Sequence, residues 1–412
     1  MTSSYQPVFP DVGIIGLVHH QWDSKWLTPH HVLTRLGKYF HVVWVSPAHE
    51  WREIPKRLKG DSTGDGQIGD MPGFQIYTPE WWLPEFHRFR FLADFTLDQR
   101  VRNAKRILAQ QGCKKIILYL WDYEFARALS STPFDLSCYH IEDEYSFSAI
   151  EVPLNPLEAR VISTVNEVFV ISPAIMEKKG MINPHTTLVP HGVDYDRYAT
   201  PVLEPTDIAS IPRPRIGYSG FLKQQLNWPL LLQLAARHRE YSFVFVGAQK
   251  HQEISPIINE LSRLPNVYFL GSKPVDEFAY YPQHFDVCIM PYLVDDYTKY
   301  IFPLKLYEYL ASGRPVVGSP IRSLQDFSHV IRLAKTPDEW SEALASSLTP
   351  HEHSDEQVKT RYRIARENDW SVHIHRLARI ISARLGSSYE ERFAMIPMGE
   401  SQGSLIQARN KA

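Results

Sequence analysis

The chain has 412 residues, and at roughly 150 residues per domain this length predicts two to three domains, each with a deep core. Its 44 lysines and arginines against 46 aspartates and glutamates give a net charge of −2, which excludes the broad electrostatic pull that non-specific nucleic-acid binding requires. With 44% hydrophobic and 22% charged residues the composition is that of a folded globular protein, and a 12% aromatic content suits large cores and pockets for rings or sugars alike.

The three cysteines, Cys113, Cys138 and Cys288, are widely spaced and form no Cys-x-x-Cys pair, so they are expected to be reduced, buried thiols. The opening MTSSYQPVFP has no basic stretch leading into an apolar one, and no apolar run approaches the roughly eighteen residues of a membrane span. These features predict a cytoplasmic protein, with membrane contact restricted to peripheral association at the inner face.

In chain order, Asp11 to Val18 is a continuous apolar run of the kind found in buried parallel strands. Leu27 to Phe40 has helical spacing, and His41 to Pro47 is again a short β-branched run. Lys114 to Trp121, Leu136 to Ile141 and Glu167 to Ser172 continue the series of strands. Four prolines between Ala199 and Arg215 mark an interdomain linker, after which strands and helices alternate again from Arg215 to Pro320. Alternation of this kind means parallel sheets with helical crossovers, and so an α/β protein of two Rossmann-like, doubly wound domains facing a central cleft. The expected divisions are 1–198, a linker at 199–214, a second domain at 215–370, a terminal helix at 371–385 and a mobile tail at 386–412.

P-loop, dinucleotide, zincin and hydrolase motifs are missing, and the pairs His19/His20, His30/His31 and His351/His353 have no carboxylate or cysteine at ligand spacing beside them, so no metal site is expected. The most informative stretch is Asp286 to Pro320. Pro303 suits the first turn of a helix and Gly313 its C′ position, which predicts a helix over Pro303 to Ser312. Lys305 in its first turn opposes the helix dipole, a conflict that a bound anion would remove. Glu308, one turn on, has the chemistry to accept two ribose hydroxyls, and an ion pair with Lys305 on a solvated face is the competing reading. A second segment, Gly217 to Trp228, ends a strand in Gly220 and continues through Lys223 into a helix, which suits a diphosphate or a plain βα turn. In a third, Val189 to Tyr198, His191 and Gly192 make a tight turn.

Together these segments resemble the glycosyltransferases of the two-domain GT-B fold, close to the retaining family 4 and its bacterial polysaccharide relatives. The resemblance spans nearly the whole chain and is most specific at PLKLYEYLASGRPVV, at the turn Pro190 to Asp194 and at RIGYSG, with Trp370 as the family's late tryptophan. It implies a nucleotide-diphosphate sugar as co-substrate on the C-terminal domain, with no further cofactor. Glu308 would bind the ribose, Lys223 and Lys305 would bind the diphosphate and stabilise it as it leaves, and Gly220 would admit the donor, in a site bordered by His191, Tyr300, Pro303 and Leu304. Tyr300 stands where many members carry the first glutamate of Glu-x7-Glu, which touches the donor sugar. The N-terminal domain would take a saccharide or lipid-linked acceptor, with Asp143 of HIEDEYSFS as base if the reaction inverts, or as the cap of a following helix. Glu142 and Glu144 are the alternatives. The other readings are a UDP-sugar epimerase in the same cleft and a non-catalytic sugar-nucleotide binder.

Overall fold

A computed structural model describes residues 6–22, 26–48, 73–83, 90–145, 151–249 and 252–396. Two all-parallel sheets form the frame. The first has seven strands in the order β3-β2-β1-β4-β5-β6-β7, where β1 is Phe9–Leu17, β2 Phe40–Val45, β3 Phe74–Tyr77, β4 Lys115–Leu120, β5 Leu136–Ile141, β6 Glu167–Val170 and β7 Thr186–Leu188. The second repeats the winding with six, β10-β9-β8-β11-β12-β13, where β8 is Arg215–Ser219, β9 Ser242–Val246, β10 Val267–Gly271, β11 Val287–Met290, β12 Val316–Gly318 and β13 Arg332–Leu333. In each sheet the winding reverses beside the first strand, and the crevice beyond the strand ends at that reversal is where α/β sheets bind ligands.

The apolar runs become central strands because both of their faces are covered. One face of the first sheet packs Val32, Leu33 and Leu36 of the helix Thr28–Leu36 together with Ile374, Leu377 and Ile381 of the helix Trp370–Leu385. The other packs Leu97, Val101, Ala104 and Leu108 of the helix Arg90–Gln110 and Val161 and Ile162 of the helix Pro156–Thr164. Phe40, expected to end a helix, opens β2 instead: the helix stops at Leu36, Gly37 follows as its cap, and the Phe40 ring stacks on Phe9 at 5.5 Å. The 199–214 stretch contains a short helix, Thr206–Ala209, whose Ile208 is buried in the core of the second sheet.

The chain crosses between the sheets twice, and the crossings are bonded to each other. Val193 pairs with Asp369, the Trp370 amide donates to the Val193 carbonyl at 3.0 Å, and the Asp369 carboxylate accepts the Tyr195 amide at 2.9 Å. Val193, Tyr195 and Tyr198 already lie in the core of the second sheet, whereas the helix that begins at Trp370 lies on the first. Gly192 is required here because a Cβ would lie 2.8 Å from the Trp370 ring.

The expectation of a mobile tail from Gly386 fails for the helix Ser387–Ala394. Phe393 is buried beside Phe9 and Tyr39, and the Tyr389 hydroxyl donates to Asp11 at 2.7 Å, so this turn of chain is held by the N-terminal sheet. Residues 397–412 lie outside the described residues, as do 23–25 and the end of HIEDEYSFS, 146–148. Cys138 and Cys288 are buried free thiols, and Cys113 is partly exposed.

Candidate functional site

The C-terminal edge of the second sheet draws the predicted residues together. Gly220, the residue after β8, has φ +145°, and a Cβ there would collide with the Lys305 ammonium. Only glycine combines that backbone with that neighbour. The helix carrying Lys305 is Lys305–Ala311, with Leu304 at its N-cap and Gly313 at φ +74° beyond its end. It is tied to β8 by Tyr309, whose buried hydroxyl accepts the Ser219 amide at 2.9 Å. Lys305 therefore turns over Gly220 and the Tyr218 ring, 5.3 Å from its centroid. Burial pushes its pKa down, and the charge of Glu308 offsets this in part. A half-buried ammonium held on a ring above a bare backbone is poised to gain from an anion.

Glu308 receives the hydroxyl of Tyr198, whose own pKa is raised well above its ordinary value by burial and then by that carboxylate. Lys305 and Glu308 are both half-buried rather than on a fully solvated face. Lys223 sits over Tyr292, 5.9 Å from its centroid, and the loop that carries it is closed by Trp228 Nε1 donating to the Lys223 carbonyl at 3.0 Å. The helix is shorter than predicted, seven residues rather than ten.

Four further predicted donor residues fall elsewhere in the geometry. Pro303 precedes the helix and Leu304 is exposed at its cap. His191 is buried, with its pKa lowered to about 4 by that burial and then by His373; its Nδ1 is 3.1 Å from the Thr28 hydroxyl, and its ring contacts Phe302 and Trp370. Tyr300 is buried against the N-terminal core and gives its hydroxyl to Glu151 at 2.6 Å. In this geometry it bridges the domains, a role that its place in the motif did not signal.

Across the crevice, the three acidic residues after β5 separate into three fates. Glu142 lies 3.7 Å from His20. Glu144 is buried against Lys179 at 3.3 Å, and Lys179 in turn holds Glu158 at 2.6 Å, so two carboxylates and an ammonium share one enclosed cluster. Asp143 remains half-buried between these two residues. Its pKa is raised, chiefly by burial; the Glu144 amide, donating at 2.8 Å, opposes the shift, and the charges of Lys223 and Lys179 act in the same direction as that amide. The next described helix starts at Pro156 and is capped by Asn155, so Asp143 caps no described helix.

The expectation that no carboxylate accompanies the histidine pairs is corrected at one place. Asp122 and Glu124, which follow β4, come to 3.6 and 3.7 Å from His19 Nε2, and the three ligand atoms lie within 4.8 Å of one another. Sequence spacing could not reveal this, because β1 and β4 become neighbours only in the sheet.

With that geometry in view, the likenesses to known proteins fall into place. Residues 213–349 match the family described as Glycosyl transferases group 1. TuaH of Bacillus subtilis (strain 168), assigned as a teichuronic acid biosynthesis glycosyltransferase, is 31% identical over 191 residues, which are 44% of this chain and 47% of TuaH. The chain thus matches about half the length of that relative. Sucrose-phosphate synthase from Thermosynechococcus elongatus superposes with a TM-score of 0.63 at 16% identity, over 91% of this chain and 98% of that one. Anabaena Alr3699/HepE in complex with UDP gives 0.64 at 14%, over 90% and 100%. The trehalose-6-phosphate structure from E. coli bound with UDP-2-fluoro glucose gives 0.63 at 12%, over 91% and 99%. The chain therefore has the GT-B fold, two Rossmann-like domains about a cleft, and the stretch that matches the group 1 glycosyl transferases lies in its C-terminal domain.

Proposed function

We propose that this protein is a glycosyltransferase that moves a sugar from a nucleotide-diphosphate sugar to an acceptor hydroxyl in polysaccharide or glycolipid synthesis. The observation that carries the reading is the Lys305 ammonium lying over Gly220 with Glu308 one turn on, inside the stretch that matches the group 1 glycosyl transferases. In this reading Glu308 accepts the ribose hydroxyls, and Gly220 lets the diphosphate approach the backbone. Lys305 and Lys223 neutralise the charge that grows on the diphosphate as the glycosidic bond breaks. Asp143, on the facing domain, takes the proton of the acceptor hydroxyl if the sugar is transferred with inversion. Closure of the domains keeps water from the sugar.

UDP-sugars are the first donors to test, since HepE carries UDP and the E. coli neighbour UDP-2-fluoro glucose. The likeness to TuaH, a teichuronic acid biosynthesis glycosyltransferase, supports a polysaccharide as product. Trp81, Trp82, Phe91 and Phe95 are each more than half exposed on the N-terminal domain, which supports peripheral contact with a membrane and a lipid-linked acceptor. No described helix is long and apolar enough to cross a bilayer.

The test is a thermal-shift panel of UDP-, GDP-, ADP- and TDP-sugars, followed by product analysis with the one that stabilises. A ligand that binds only the folded state raises its stability by RT ln(1 + [L]/Kd), about 2.7 kcal/mol at a hundredfold excess over Kd. A new glycoside supports the reading. A free epimer of the donor sugar, or binding without turnover, overturns it in favour of an epimerase or a binding protein.

A further inference from the structure

The loop that leads into the Lys305 helix is anchored in the other domain. It runs from β11 to Leu304, and within it the Tyr300 ring is buried among N-terminal core residues. At the Tyr300 hydroxyl, Glu151 of the N-terminal domain collects three donors: Tyr300 at 2.6 Å, Lys178 at 2.8 Å and Lys299 at 2.9 Å. Both ammonium groups also lie over the Tyr300 ring, at 5.2 and 4.8 Å from its centroid. One carboxylate, two cations and one ring, contributed equally by the two domains, thus form a single unit. The neighbouring pair of Arg322 and Glu177, at 2.7 Å, joins the same two bodies, since Glu177 and Lys178 share the helix Pro173–Lys179.

Position along the chain gives this unit its leverage. Tyr300 is five residues before Lys305, and Ile301 and Phe302 between them are themselves fixed, Ile301 by the Ser323 hydroxyl at 2.8 Å and Phe302 by its contact with His191. Movement of Tyr300 away from Glu151 would therefore shift the start of the helix that sets Lys305 over Gly220. The two crossings at Val193 and Asp369, bonded to each other, are where the domains can hinge.

We propose that Glu151 is a positioning residue, which couples closure of the two domains to assembly of the Lys305 and Gly220 site by gripping Tyr300 and Lys299. The coupling is reciprocal: whatever holds the domains closed favours the assembled site, and a ligand in that site favours closure. Naming the ligand as a sugar-nucleotide donor rests on the function proposed above, but the closure itself does not.

The experiment uses the full chain and two substitutions, Glu151→Gln and Tyr300→Phe, the second of which keeps the ring and removes only the hydroxyl. Solution X-ray scattering of the free protein reads closure, and titration with UDP-glucose reads the site. Glu151→Gln is expected to raise the radius of gyration and to weaken UDP-glucose roughly three- to tenfold, because the pairs are partly exposed and each is worth modest free energy. Tyr300→Phe should change both in the same direction by less. An unchanged radius of gyration in both variants overturns the proposal, as does a lowered melting temperature with unchanged scattering and affinity, which marks a merely structural contact. If Glu151→Gln does not fold, Tyr300→Phe decides. If wild-type protein ignores UDP-glucose, the donor reading is in question while the scattering still decides closure.

Discussion

The two sheets are wound alike, yet their facing edges carry opposite chemistry. At the C-terminal edge, glycine, two lysines and one glutamate are set among the rings of Tyr198, Tyr218, Tyr292 and Tyr309, whose pKa values are all raised, chiefly by burial. That edge is cationic, and much of it is made of aromatic surface. At the N-terminal edge, His19, Asp122, Glu124, His20, Glu142 and Asp143 are crowded above the buried cluster of Glu144, Lys179 and Glu158. That edge is acidic. Identical winding leaves the loops at the strand ends free to differ, so one topology carries lysines and tyrosine rings on one side of the cleft and carboxylates and histidines on the other.

The sharpest way to break this comparison is Asp143→Asn. The substitution keeps the size of the side chain but removes its ability to take a proton, so turnover is expected to fall by about 10² to 10⁴, while nucleotide affinity, set by the other edge, stays the same. Turnover within twofold of wild type would show that the acidic edge has no proton-transfer role at this residue. Glu308→Ala is the mirror experiment. Losing charge-assisted hydrogen bonds worth about 1.5 to 3 kcal/mol should weaken nucleotide binding roughly ten- to hundredfold in a titration, with the fold intact. An unchanged Kd with a lower melting point would instead make Glu308 a partner of Tyr198 alone.

Gly220→Ala sharpens the comparison by testing backbone rather than charge. At φ +145°, and with Lys305 in the way, the added methyl should cost about 1 to 3 kcal/mol of stability and displace the lysine, seen as a lower melting temperature together with weaker nucleotide binding. A smaller effect is expected from acid at the contact between the edges. The Lys178, Tyr300 and Lys299 hydrogen bonds hold the Glu151 pKa down to about 2, against an ordinary value of 4.5. A depressed carboxylate stabilises the folded state above its unfolded pKa and ceases to do so as it is protonated. The contribution of Glu151 is therefore full above about pH 4.5 and is lost as pH falls toward about 2. Glu151→Gln should flatten the loss of melting temperature over that window, and identical acid profiles would remove Glu151 from the stability of the contact. The smallest effect concerns metal: with diphosphate charge assigned to Lys223 and Lys305, activity should survive EDTA, and strict dependence on added Mn²⁺ or Mg²⁺ would contradict the assignment.

By itself the sequence determined the parallel, doubly wound class and most central strands, because a strand buried on both faces must be apolar throughout, as in Ile14 to Leu17, Ile116 to Leu120 and Phe243 to Val246. It also determined the cationic edge, since Gly220 with Lys223 and Lys305 with Glu308 are each local to one turn, and local backbone chemistry writes itself into adjacent residues. Short edge strands such as β7 and β13 carried too few residues for a period to show, and the helix Ser387–Ala394 was polar enough to resemble a tail, its docking resting on Tyr389, Arg392 and Phe393. Only the tertiary structure decided the acidic edge and the link between the domains. His19 meets Asp122 because β1 pairs with β4, Lys179 at the end of one helix joins Glu144 of a loop to Glu158 of another helix, and Tyr300 meets Glu151 across 149 positions of sequence. Charges can be paired by any loop that the sheet order brings near, so no spacing along the chain records which partner each will find.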